Sequence, residues 1–204
     1  MIQIDRANTV SVGLDLYTVA ARHQDALIDA LIQQVRAWAT HDFFVAAAVH
    51  QSLDGVRMFT YSQWHPRFDY RSLPTLTLLN EFFPADRHLL EVVVSRPHDQ
   101  EITIAAGEHI THLAEFRMLP SNQLEMMRRA NIEIDRAMES PGLISATFHR
   151  SLDGTRIFNY GQWQSRDAFE AILQQPGFSL NQPYWEGLAR NEFHLYTVMH
   201  TFEK

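Results

Sequence analysis

A stretch of the second half, FHRSLDGTRIFNYGQW over residues 148–163, repeats one of the first half, VHQSLDGVRMFTYSQW over residues 49–64, without a gap. His149 and His50, Asp153 and Asp54, and Trp163 and Trp64 are each 99 residues apart. An offset this large exceeds the period of solenoid and propeller repeats, so it describes two copies of one compact unit. Any fold for this chain must therefore be built twice.

The motif reads as a β-hairpin, because runs rich in Phe, Ile, Thr and Tyr flank a Ser-Leu-Asp-Gly turn. A two-residue Asp-Gly turn would set Phe148 opposite Asn159 and mix polar with apolar side chains on one face. A three-residue loop with Gly154 in the left-handed conformation instead pairs Ser151 with Thr155, Phe148 with Phe158 and Ala146 with Tyr160. That register is expected, with its apolar face toward helices. The opposite face then carries Leu143, Ser145, Thr147, His149, Ile157, Asn159, Gly161 and Trp163, a mixture suited to a pocket wall. The matching face of the first copy is Phe44, Ala46, Ala48, His50, Met58, Thr60, Ser62 and Trp64, which is less polar, so chemistry is expected in the second copy.

Around each hairpin the pattern supplies the rest of a ferredoxin-like order. In the first copy, residues Thr9 to Val19 alternate as a strand, and Leu27, Leu31, Val35 and Trp38 recur at helical spacing between His23 and Ala39. An irregular helical connection follows from Pro66 to Pro84, carrying Leu76, Leu79, Phe82 and Phe83, before a strand from Leu89 to Ser95. In the second copy, Ile110 to Met118 is the first strand. A helix begins near Ser121 or Asn122 with Glu125 placed as in a capping box, turns Leu124, Met127, Ile134 and Met138 inward and stops at Pro141-Gly142. Arg166 to Gln174 is a helix, Tyr184 to Ala189 adds a further turn, and the last strand runs from Phe193 to Phe202. The fold class is α+β, two ferredoxin-like βαββαβ repeats whose antiparallel sheets face each other as an intrachain α/β barrel. The expected division is residues 1–97, a linker at 98–108 in which Ile102 to Ala105 can add an edge strand, and residues 109–204. Each half is long enough to bury a core.

Net charge is −7, and the 17 Lys and Arg are scattered, so no electrostatic footprint for nucleic acid is present. The absence of cysteine excludes disulfides, thiolate ligands and a Cys nucleophile. No apolar run reaches membrane-spanning length and the N-terminus has no signal core, which reads as a cytoplasmic chain.

The run Asn159-Tyr160-Gly161-Gln162-Trp163 behind His149-Arg150-Ser151-Leu152-Asp153-Gly154 resembles the signature of the antibiotic biosynthesis monooxygenase domain family, and both halves resemble it. The resemblance implies a cofactor-independent monooxygenase that oxidises a polycyclic, anthrone-like aromatic with O₂ as co-substrate, with no metal. A homodimer of the two-repeat chain is compatible with it. Family members that oxidise aromatic polyketides carry an Asn four residues before a Trp on the third strand, which lands on Asn159 and Trp163. In the first half Thr60 replaces the Asn while Trp64 remains, which implies a degenerate first site.

Asn159 and Trp163 are thus the expected catalytic residues, their N–H groups stabilising an enolate, with His149 as a candidate base. Ser145, Thr147, Ile157, Gly161, Trp64 and Thr60 are the expected substrate contacts. The alternatives are a barrel that binds a small apolar ligand without chemistry, or a haem-binding or haem-degrading oxygenase using one of the histidines. Asp54 and Asp153, each before Gly, are assigned to the turns.

Overall fold

The structure is a computed structural model that describes residues 1–82, 85–97, 100–179, 181 and 183–204. Its elements run β1 (Ile2–Gln3), β2 (Ser11–Thr18), α1 (Gln24–Ala39), β3 (Phe44–Ser52), β4 (Arg57–Trp64), α2 (Thr77–Phe82), β5 (Asp86–Arg96), β6 (Thr103–Ile104), β7 (Ile110–Met118), α3 (Gln123–Met138), β8 (Leu143–Ser151), β9 (Arg156–Trp163), α4 (Arg166–Ile172) and β10 (Ala189–Glu203). The expected α+β class, the two ferredoxin-like repeats and their antiparallel sheets are all present. Phe83, the side chain of Phe82, and His98 and Asp99 of the expected linker lie outside the described residues. No described helix is long and apolar enough to cross a membrane.

The chain forms two compact units. The first comprises residues 1–90, 101–108 and 196–204, and the second residues 91–100 and 109–195. β5 and β10 each contribute residues to both.

In the first unit the ladder order is β5-β2-β4-β3-β10. Its first four members follow the fourth-first-third-second order of a ferredoxin-like sheet. α1 buries Leu27, Leu31, Val35 and Trp38, the stripe expected from the sequence, against Phe44, Val49, Met58 and Trp64. β1 pairs with β6, so the edge strand expected at Ile102–Ala105 forms at Thr103–Ile104 and takes up the N-terminus.

The second unit repeats the plan as β10-β7-β9-β8-β5. Here α3 buries Met126, Ala130 and Ile134 over Ala146, Phe148 and Ile157, with Met127 and Met138 partly buried. Leu124, expected inward, is 77% exposed. The spacing of four between Met126, Ala130 and Ile134 centres the stripe one residue-direction away from the one expected. The capping box does not form either: Asn122 makes no cap bond, and Glu125 pairs with Arg128 and Arg129. The start of α3 is fixed instead by Gln123, whose amide donates to the carbonyls of Ser151 at 3.0 Å and Arg156 at 3.1 Å.

The hairpin register corrects the expectation. Phe148 pairs with Asn159, His149 with Phe158 and Thr147 with Tyr160, the register that had seemed to mix faces. The cause is local. Ser151 Oγ accepts the N–H of Arg156 at 2.8 Å and bonds Asp153 Oδ1 at 2.7 Å, while Asp153 Oδ1 accepts the N–H of Thr155 at 2.9 Å and the N–H of Gly154 reaches the Ser151 carbonyl at 3.1 Å. These bonds close a loop over residues 152–155, with Gly154 at φ +80°. The first copy has the same register and the same Ser52, Asp54 and Gly55 bonds. One face of the second hairpin therefore holds Ala146, Phe148, Ile157, Asn159 and Gly161, and meets the helices. The other holds Ser145, Thr147, His149, Phe158, Tyr160 and Gln162.

A candidate active site under the second helix layer

That register carries Asn159, Gly161 and Trp163 to the helix side of the second sheet, where they line a cavity with His112 of β7 and Glu133 and Ile134 of α3. The cavity has a volume of about 70 Å³ and opens to solvent, and its remaining walls are mostly aromatic and aliphatic. An apolar cleft with a few convergent polar groups is the usual form of a small-molecule site.

Those polar groups are unsatisfied. Asn159 Oδ1 and Trp163 Nε1 are buried and have no hydrogen-bond partner among the described residues. Each such atom costs about 1–3 kcal/mol, so folded chains retain few of them. His112 packs its ring at 4.6 Å from Phe169 and 5.6 Å from Phe193, and desolvation in this apolar surround lowers its pKa from 6.5 to about 3. It is a neutral imidazole, able to accept a proton. Glu133 is held by Arg136 at 2.9 Å. Among the described lining residues His112 and Glu133 are the ones of metal-ligating type, short of the three protein ligands that a catalytic zinc site uses. The cavity can hold a flat apolar body and direct hydrogen bonds at its oxygens.

The other expected residues lie elsewhere. Ser145, Thr147 and His149 sit on the opposite face of the hairpin with their polar groups engaged inside the protein. Ser145 Oγ donates to Gln162 Oε1 at 2.7 Å, and Thr147 Oγ1 and Ser95 Oγ share a hydrogen bond at 2.8 Å. His149 is 1% exposed, its pKa lowered to about 4 by burial against the backbone hydrogen bonds of Thr147 and Phe158, which raise it. Ile157 is packed in the core beneath α3. Trp64 and Thr60 belong to the first unit, where Trp64 Nε1 donates to Ser62 Oγ at 2.9 Å and Thr60 is buried.

Stepping three cavity residues back by 99 shows what occupies the matching position of the first unit. His112 becomes Gly13, Gly161 becomes Ser62, and Phe169 becomes Tyr70. His112 and Gly161 are cross-strand partners, as are Gly13 and Ser62. Tyr70 stacks on Trp64 at 5.7 Å, and a Cβ on Gly13 would fall 2.5 Å from its ring. Its hydroxyl donates to Asp15 and to the His88 carbonyl. Burial raises the Asp15 carboxyl, opposed by Arg87, whose guanidinium lies 3.4 Å from it. The first unit thus fills the position with its own aromatic ring and closes Trp64 Nε1 on Ser62 Oγ, although Thr60 Oγ1 and Trp38 Nε1 are buried there with no hydrogen-bond partner among the described residues.

His112 was missed as a site residue because a lone strand histidine has no motif. The available signal was the duplication, in which one copy has His and the other Gly at the same position. The aromatic wall of Phe169, Trp185 and Phe193 depends on folding of the segment after β9, and no spacing marks it.

The model of the family described as antibiotic biosynthesis monooxygenase matches residues 109–180. The tetracenomycin-F1 monooxygenase of Streptomyces glaucescens is 32% identical over 88 residues, covering 43% of this chain and 79% of that protein. Among solved structures, an anthrone oxidase-like protein superposes with a TM-score of 0.83 at 21% identity, over 99% of this chain and 96% of that one. A major regulator of staphylococcal pathogenesis also superposes, with a TM-score of 0.56 at 14% identity over 93% and 99% of the two chains. The fold alone therefore leaves the activity open, and the site has to argue it.

Proposed function

The chain belongs to the antibiotic biosynthesis monooxygenase family, and from that premise we propose that its second unit oxidises an anthrone-like polycyclic aromatic with O₂, without a bound cofactor. The observation that carries the reading is the pair of buried, unpartnered polar atoms, Asn159 Oδ1 and Trp163 Nε1, in one aromatic-walled cavity. Such atoms are costly unless a ligand completes them.

An anthrone is a carbon acid. Loss of a proton from its methylene gives an electron-rich enolate that can pass electrons to O₂ directly. One oxygen atom becomes the new carbonyl, the other leaves as water, and the methylene supplies both hydrogens and all four electrons. The protein's share is to favour the enolate. The indole N–H of Trp163 can donate to its oxygens, while Asn159 Oδ1, an acceptor, can take the hydrogen of a ligand hydroxyl as the N–H group of the same amide donates, and fixed dipoles in a water-poor site stabilise developing charge far better than they do in water. The aromatic walls hold the ring system and exclude bulk water.

The test is oxygen uptake with 1,8-dihydroxyanthrone, corrected for its slow autoxidation. Catalysed uptake with appearance of the anthraquinone, abolished in Asn159→Ala, supports the reading. Saturable binding without uptake would make the protein a carrier, and a dependence on added haem or flavin would refute cofactor independence.

A further inference from the structure

We propose that the cavity seats a ligand oxygen directly over Gly161, between the indole N–H of Trp163 and Nδ1 of His112, and that His112 receives the proton the ligand gives up there. This deepens the proposed function and rests on it. The class of ligand is a planar aromatic with an ionisable phenol or enol oxygen.

The geometry is specific. The point where a Cβ of Gly161 would stand lies 3.3 Å from Trp163 Nε1 and 3.4 Å from His112 Nδ1. The indole nitrogen can only donate, and it has no partner among the described residues. An imidazole nitrogen can accept. That point is a bond length from the Gly161 Cα, so a ligand oxygen would stand just beyond it, in contact with the glycine and facing both rings, accepting from one and delivering a proton to the other.

The first unit supplies an internal template. At the equivalent position Ser62 places a hydroxyl oxygen that accepts the N–H of Trp64 at 2.9 Å. Its cross-strand neighbour Gly13 gives up its side chain so that the Tyr70 ring fits. In the second unit the serine oxygen is gone, the glycine has become His112, and the tyrosine has become Phe169, which packs on the imidazole at 4.6 Å. The three differences act together: one copy carries its own oxygen on the indole, and the other leaves that place vacant and puts a proton acceptor beside it.

The proton balance is simple. The bond from hydrogen to the ligand's oxygen, or to the carbon conjugated with it, breaks; its electron pair stays as the enolate, and the proton goes to Nδ1. The resulting imidazolium lies against the enolate oxygen. Burial disfavours that cation in the empty cavity, whereas an adjacent anion favours it, so protonation of His112 is tied to ionisation of the ligand. After electron transfer the same proton completes the water that leaves.

Two substitutions and two readouts test this. Gly161→Ser rebuilds the first unit's hydroxyl beside the indole and is expected to lower both affinity for 1,8-dihydroxyanthraquinone, measured by calorimetry, and turnover of 1,8-dihydroxyanthrone by about 100-fold or more, with no loss of thermal stability. His112→Phe keeps aromatic packing against Phe169 and is expected to lower kcat by about 10²–10⁴-fold, the usual contribution of a positioned base. Turnover within threefold of wild type in both variants overturns the inference, while loss in Asn159→Ala alone would leave the proposed function standing. If the wild type oxidises no anthrone, the function fails and the subsite is judged on binding: at least tenfold weaker anthraquinone affinity in Gly161→Ser supports it, and equal affinity overturns it.

Discussion

The hydroxyl of Ser62 accepts the indole hydrogen of Trp64 at 2.9 Å. Ninety-nine residues later the serine is Gly161, and the indole nitrogen of Trp163 is buried without a partner among the described residues. One missing oxygen thus separates an indole closed on a hydroxyl of its own unit from an indole with a hydrogen to offer a ligand. Four expectations follow from that asymmetry and from the groups around it.

Asn159→Ala should lower turnover by about 10²–10³-fold, the cost of losing one preorganised donor to a developing oxyanion. Its effect on folding should be small, because the side chain's oxygen has no protein partner to lose. Thr60→Ala, at the same position of the first unit, should change the rate by less than about threefold. Steady-state kinetics on both variants decide where the chemistry lies, and equal losses would place it wrongly.

Ser62→Ala removes the acceptor from a fully buried indole and should destabilise the chain by about 1–3 kcal/mol, since an orphaned buried donor bears its whole desolvation penalty. For a chain of this size, that lowers Tm by roughly 2–4 °C per kcal/mol. Calorimetric unfolding reads the effect, and turnover should be unchanged.

Gly13→Ala places a Cβ 2.5 Å from the Tyr70 ring and 2.6 Å from Ser62 Oγ. Overpacking of a filled core costs about 1–3 kcal/mol. Denaturant titration should show a lower midpoint for this variant, and a midpoint equal to wild type would mean that Tyr70 can move aside without cost.

Acid should destabilise the fold before the carboxylates titrate. His50 and His149 are buried, and desolvation lowers their pKa values to about 3 and 4, while that of His112 is about 3. Between pH 6.5 and those values the unfolded chain binds protons that the folded chain does not. Stability is therefore complete above about pH 6.5 and falls as pH drops toward 4, by up to about 1.4 kcal/mol per group per pH unit. The raised carboxyl of Asp15 acts in the opposite sense and offsets part of this loss. His149→Gln should flatten the slope of Tm against pH between 6.5 and 4; an unchanged slope would show that His149 does not contribute.

The duplication was legible because gapless identity survives in the residues that make a turn. Ser, Asp and Gly close the loop through their own side chains and a positive φ, so they cannot drift without opening the hairpin. The strand and helix order followed from apolar spacing alone, and so did the inward stripe Leu27, Leu31, Val35 and Trp38. Asn159 and Trp163 were nameable from the family resemblance, and their four-residue spacing on a strand keeps the two side chains on one face whatever the register.

Only the folded loop decided which face that was. The alternation of the hairpin fits either register, and the choice was made by bonds from Ser151 and Asp153 to the loop backbone, which shift the pairing by one and turn Asn159 toward α3. The same shift sends Ser145, Thr147 and His149 to the far face. Whether the space beneath the helices stays open was likewise beyond local sequence. It depends on a cross-strand pair and a ring from a later helix, filled as Gly13, Ser62 and Tyr70 in one copy and left open as His112, Gly161 and Phe169 in the other. Three changes distant in the chain meet at one point only after folding, and that meeting makes the cavity.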